Sequence, residues 1–342
     1  MGASRADRAV GRGVSEAPDA RARGRARLKS LGSVLAFAAG VGLVGWLVRS
    51  AGVSNVLHVL ARAGRWLPLI VLLEVAMVSF DALAVRGLLG RAGQRVGALR
   101  WIRSTANAYA SMILLPAGRA TGEVARAATL MGEAGLRHAT AASTRLQASA
   151  LLANAVISVA GAAVAAWHGR DFWPLAIGLA LNAVACVIGG LGILVLARSV
   201  RVRRWLGGLA KRFFGSYDED EPPAPSGSIA TAVALCTVGR LVQTAQYGVV
   251  VLAVGGVVTS GSALLAQGIH LVGAAIGDLV PNQMGATEGA YRAFAATIGL
   301  GSEPARAISI ALLVRITQLG LALFSLVLPL VLPRQERAEA TP

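Results

Sequence analysis

The chain has 342 residues, 55% of them hydrophobic and only 15% charged, with a mean hydropathy of +0.62 and a formal net charge of +16. Soluble domains carry about 25% charged residues, so a soluble globular fold is excluded. The arginine excess sits in short segments beside apolar blocks, the pattern of loops retained on the cytoplasmic side of a membrane, not the single basic face of a nucleic-acid-binding protein.

Residues 1–30 are rich in Arg, Ala and Gly and lack apolar periodicity, which predicts a disordered basic cytoplasmic arm. Its arginines (Arg21, Arg23, Arg25, Arg27) run directly into an apolar block at 31–48 without a clear small-residue cleavage site, so an uncleaved anchor is expected. The membrane domain then extends over 31–333, in halves of roughly 31–170 and 171–333. Apolar blocks at 31–48, 66–86, 147–168, 174–197, 229–254 and 306–332 have the length of full crossings, and helices are the expected spanning element because lipid offers the backbone no hydrogen bonds. Two further stretches are interrupted: 104–130 by Pro116, Gly118 and Gly122, and 262–300 by Pro281, Gly285 and Gly289. Proline removes a helical hydrogen bond and clashes with the preceding turn, so both should break and return to the side from which they came.

The arginines fit that reading. The loop 86–103, the segment holding Arg119, Arg126, Arg137 and Arg145, and the loop 198–212 all reach the cytoplasm only if 104–130 is re-entrant. The expected fold is therefore all-α: a polytopic transmembrane bundle of six crossings and two re-entrant broken hairpins, with both termini cytoplasmic in a plasma (inner) membrane. A cytoplasmic linker occupies 198–228, in which 198–213 can form a basic amphipathic helix on an anionic leaflet. Residues 334–342 form a cytoplasmic tail.

Sliding the chain by 165 positions places Pro116 on Pro281 and Glu123 on Glu288, with proline and glutamate seven residues apart each time. It also lays 66–86 on 231–251 and 147–168 on 312–333, and brings Asp81 onto Gln246. Halves entering from opposite faces are the signature of an inverted repeat, with a binding site where the broken helices meet. Charges at the bilayer centre cost about 2.5–3.5 kcal/mol each even on a lenient scale. Glu74, Asp81, Arg240, Gln243, Tyr247, Asp278, Arg292, Arg315 and Gln318 must therefore face one another or a wet cavity. Glu123, Glu288, Arg145 and Arg315 are expected to converge on one central site.

Cys186 and Cys236 lie inside apolar blocks, and the four histidines have no metal-ligand spacing. No cofactor or metal is expected, and without a nucleophile–base pair an enzyme is not expected either.

Pro116, Arg119, Gly122, Glu123 and Arg126 together resemble the Pro-x-x-Arg-x-x-Gly-Glu-x-x-Arg motif of the lysylphosphatidylglycerol synthetase transmembrane-region family, the flippase-like domain. Pro281, Gly285 and Glu288 are similar to its second motif, while Arg145 and Arg315 match later arginines. Thr144 and Ala148 stand where the family carries acidic residues. The resemblance implies binding and translocation of a phospholipid or lipid-linked intermediate, without the soluble synthetase domain of two-part members. It implies a substrate-binding set of Pro116, Arg119, Gly122, Glu123, Arg126, Arg145, Pro281, Gly285, Glu288 and Arg315, which Asp278 joins as a charge crowding the second break. The implied partners are anionic membrane lipids and a lipid-biosynthetic enzyme. A non-catalytic membrane subunit of such a pathway, or a secondary transporter of a small polar solute, are the alternative functions.

Overall fold

The computed structural model of the chain describes residues 52–115, 118–199, 228–277, 283–301 and 303–331, preceded by Gly42, Gly45, Trp46 and 48–50. The basic arm, most of the 31–48 block, the amphipathic segment and the tail lie outside the described residues, as do Pro116, Asp278 and Pro281.

The described residues are helical, with no strand among them. In chain order they form α1 (Val53–Ala63), α2 (Leu67–Leu89), a short α3 (Arg91–Arg95), α4 (Ala98–Leu114), α5 (Gly118–Ala134), α6 (Leu136–Trp167), α7 (Trp173–Arg198), α8 (Ile229–Ala253), α9 (Ser260–Gly277), α10 (Ala286–Ala293) and α11 (Pro304–Val331). Pro68 and Pro174 open α2 and α7 at positions where no intrahelical N–H is needed. Ser228 caps α8 by accepting from the Thr231 amide at 3.3 Å. The sequence reading gave no element over 53–63. There an amphipathic α1 instead buries Val56, Val59 and Ala63 and runs on toward α2.

Among the described residues, six helical stretches are long and apolar enough to cross a membrane: Val53–Leu89, Leu136–Trp167, Arg170–Ala197, Ile229–Ala253, Ser260–Gly277 and Pro304–Pro329. Ser260–Gly277 was expected only as one arm of a broken hairpin, yet by length and composition it qualifies as a crossing. The surface is apolar outside and polar inside. Leu72, Leu181, Ile188, Val195, Leu323 and Phe324 are exposed, whereas Glu74, Glu123, Arg126, Gln246, Gln267 and Glu288 are buried. Apolar exposure on this scale belongs against lipid. Trp167 and Trp173 flank the turn at Arg170–Phe172 and are exposed, as interface tryptophans are.

The packing is organised about the long contact of α2 with α8. One apolar core holds Val85, Leu88, Leu89, Leu130, Ala142 and Leu146; a second holds Val250, Ala253, Val254, Ala295, Ala307 and Ala311, each 165 positions further on. Helix contacts recur in the same way. The α4–α5 pair and its contact with α6 are matched by α9–α10 and its contact with α11; α4 packs on α11 as α9 packs on α6. Two pairings depart, both at α2: α8 is in extensive contact with α9 and with α6, while α2 touches α4 and α11 only over short stretches.

Candidate functional site

The helical run ends at Leu114 and resumes at Gly118, on either side of the proline where the sequence analysis expects a break, and α4 and α5 press together. A β-carbon on Gly122 would stand 2.7 Å from the Ala108 carbonyl oxygen, so only glycine permits this approach. Thr121 Oγ1 donates to the carbonyls of Gly118 (2.7 Å) and Ser111 (3.2 Å), tying the tip. Far from the tip, Glu133 accepts from the Gly97 amide at 3.1 Å and from Arg100 Nε at 2.9 Å.

That hairpin delivers three motif residues to a buried ionic cluster. Arg119 donates to Asp81 on α2 at 2.7 Å. Glu123 and Arg126, one turn apart on α5, pair at 3.2 Å. Asp81 is also 3.8 Å from Arg240 on α8. Arg240 in turn donates to Gln243 Oε1 at 2.8 Å, and Gln267 on α9 donates to the same oxygen at 3.2 Å. Three guanidinium groups thus face two carboxylates. Arg119 Nε, Arg126 Nη1 and Arg240 Nε are buried there without a hydrogen-bond partner. Unsatisfied buried N–H groups are costly, and these three are concentrated where positive charge is in surplus.

The second hairpin builds a different arrangement around one ion pair. Glu288 is fully buried and ion-paired to Arg315 on α11; it also accepts from the Gly285 amide at 2.9 Å and from Thr287 Oγ1 at 3.0 Å. Gly285, with φ of 83°, supplies the left-handed turn that starts α10. Arg315 Nη2 reaches Thr287 Oγ1 at 3.2 Å. Beside this pair, His270, Gln283, Thr287 and Gln318 line a polar cavity of about 20 Å³, room for one water.

Glu74 joins the two. It is fully buried on α2, two turns before Asp81, and accepts from Tyr109 of α4 at 2.9 Å and Gln246 of α8 at 2.9 Å. Gln318 of α11, one turn beyond Arg315, approaches it at 3.5 Å. Among the described residues, the ion pairs of Glu123 and Glu288 run to Arg126 and Arg315, each within its own half, and not to Arg145, which is half-buried on α6. The sequence marked Glu74, Asp81, Arg240, Gln243 and Gln318 as polar groups at membrane depth but did not join them to the motif residues. Tyr109 and Gln267 escaped notice, because an isolated Tyr or Gln carries no sequence signal until its partner is seen across the bundle.

Among the described residues, no group of three or more His, Cys, Asp and Glu side chains could hold a metal ion. Among curated proteins and among solved structures, none matches this chain. The profile of the lysylphosphatidylglycerol synthase TM region matches residues 33–325, which takes in both hairpins and every charged group of the two clusters, and the chain belongs to that family.

Proposed function

We propose that this multi-pass membrane protein binds the headgroup of an anionic phospholipid at the Asp81–Arg119–Glu123–Arg126–Arg240 cluster and moves the lipid between leaflets without altering it chemically. The observation that carries the reading is the surplus of buried arginine N–H groups over carboxylates in that cluster. A phosphodiester offers oxygens for those donors, and an interior charged site in a membrane bundle marks a transport pathway more readily than a packing device. Family membership points to the same ligand class.

The reading includes the architecture. The recurrence of core residues and helix contacts at 165 positions supports an inverted repeat of two re-entrant hairpins, with both termini cytoplasmic in the plasma membrane. The two motif glutamates then have unlike roles. Glu123 sits in the cluster with free donors, and Glu288 with Arg315 holds the second hairpin. Of the remaining motif positions, Gly122 and Gly285 shape the hairpins, and Arg145 is half-buried on α6; Pro116, Asp278 and Pro281 belong to the proposed set from the sequence alone.

The test uses the purified protein in liposomes holding a fluorescent phosphatidylglycerol, with a membrane-impermeant quencher reporting on the outer leaflet. Wild type should move the probe, and Glu123→Gln should abolish movement while leaving the protein folded and inserted. Unchanged movement per folded molecule in Glu123→Gln would reject the cluster as the headgroup site.

A further inference from the structure

The two pairings of α2 that break the internal correspondence leave a space. Where α2 and α4 diverge, a groove of about 540 Å³ opens between α2, α4 and α11. That is within the roughly 300–1,000 Å³ of small-molecule sites. Its walls are apolar, among them Val78, Ile102, Phe324 and Leu328. Exposed Arg86 lines it at the C-terminal end of α2, and Tyr109 lines it where it abuts the core, its hydroxyl already donated to Glu74.

The corresponding positions 165 residues on are shut. Val78, Ala82, Ile102 and Thr105 line the groove, whereas Gln243, Tyr247, Gln267 and His270 meet in the seam between α8 and α9. Gln267 donates to Gln243 at 3.2 Å, Thr244 bonds to Gln267, and the rings of Tyr247 and His270 lie 5.2 Å apart. Ile102 is 45% exposed, and its counterpart Gln267 is fully buried.

Resting on the lipid-translocation reading above, we propose that the α2–α4–α11 groove is a lateral gate that seats one acyl chain of an anionic phospholipid, headgroup at Arg86, and that the α8–α9 seam is its counterpart, locked shut in this conformation. The apolar lining on lipid-facing helices selects a hydrocarbon chain, and a lone guanidinium at one end selects a negative headgroup. In a protein of two related halves, one gate open and its twin closed is the asymmetry expected of a single transport state. Exchange of the two arrangements requires the Gln243–Gln267 and Thr244–Gln267 contacts to part.

The full chain in liposomes, exposed to phosphatidylglycerol or phosphatidylcholine carrying a photoreactive group on one acyl chain, tests both parts. Labelling should concentrate at Ile102, Phe324 and Leu328, with phosphatidylglycerol favoured about fivefold and the preference lost in Arg86→Gln. Ser79→Trp, which fills the groove, should suppress labelling, whereas Leu181→Trp on the lipid-facing side of α7 should not. Equal labelling by both lipids, or labelling spread over α7, would overturn the groove. For the seam, Thr244→Cys with Gln267→Cys in a Cys186→Ala, Cys236→Ala background is joined by a short reversible bis-thiol reagent. Movement of the probe should stop, return on reduction, and leave groove labelling intact. Movement that continues in the cross-linked protein would overturn the paired gate. Selective groove labelling in a protein that moves no lipid, even before cross-linking, would uphold the binding groove and reject translocation and with it the paired gate.

Discussion

Gly122 lies so close to Ala108 that a β-carbon would stand 2.7 Å from the Ala108 carbonyl oxygen, and 165 positions on the same contact recurs with the glycine on the other arm. There it is Gly273 whose added β-carbon would meet Thr287 Cα at 2.9 Å. Both hairpins need one residue without a side chain at this crossing, and which arm supplies it is immaterial to the packing. Gly122→Ala and Gly273→Ala should therefore each destabilise the protein by about 1–3 kcal/mol, the cost of forcing extra volume into a close-packed contact. Gly289→Ala and Gly320→Ala, where nothing stands within 4 Å, should be neutral or slightly stabilising through helix propensity. Thermal unfolding in detergent distinguishes them.

The Glu288–Arg315 pair is buried at both ends. Removing one partner strands a charge, so Arg315→Ala should cost about 3–5 kcal/mol. Glu288→Gln combined with Arg315→Gln should recover much of that loss, because no lone ion remains. A double substitution as unstable as the single one would show that the pair matters through shape and not charge.

Asp81 serves two arginines from different helices. In a double-mutant cycle, Asp81→Asn and Arg240→Gln should couple by about 0.5–3 kcal/mol, as members of one ionic network do. Additivity within error would dissolve the network into independent contacts. Asp81→Asn raises the cluster's positive excess, so phosphatidylglycerol should stabilise that variant more than it stabilises wild type.

Topology is checked by cysteines placed at Arg137 and Arg170 in a background without Cys186 and Cys236. In intact cells an impermeant thiol reagent should label position 170 and miss position 137. Labelling at 137 would require 104–130 to cross the membrane outright and would remove the re-entrant hairpin.

Sequence alone determined the class of the fold, because exclusion from water and the need for internal backbone hydrogen bonds act on local runs of residues. Hydropathy located α2, α6, α7, α8 and α11, and proline with glycine located the first break; the 165-residue offset was legible because the two breaks share one spacing. The partners of the buried charges were not legible. Glu123 pairs with Arg126 and Arg119 with Asp81, while Glu74 finds Tyr109, Gln246 and Gln318 on three other helices. A charge at membrane depth announces that it must be satisfied, but which neighbour does so depends on how helices cross, and that is decided by side-chain volume at contacts such as Gly122 on Ala108. The opening between α2 and α4, against the closed seam between α8 and α9, is likewise a property of tertiary packing, since hydropathy places segments in the membrane but not against one another.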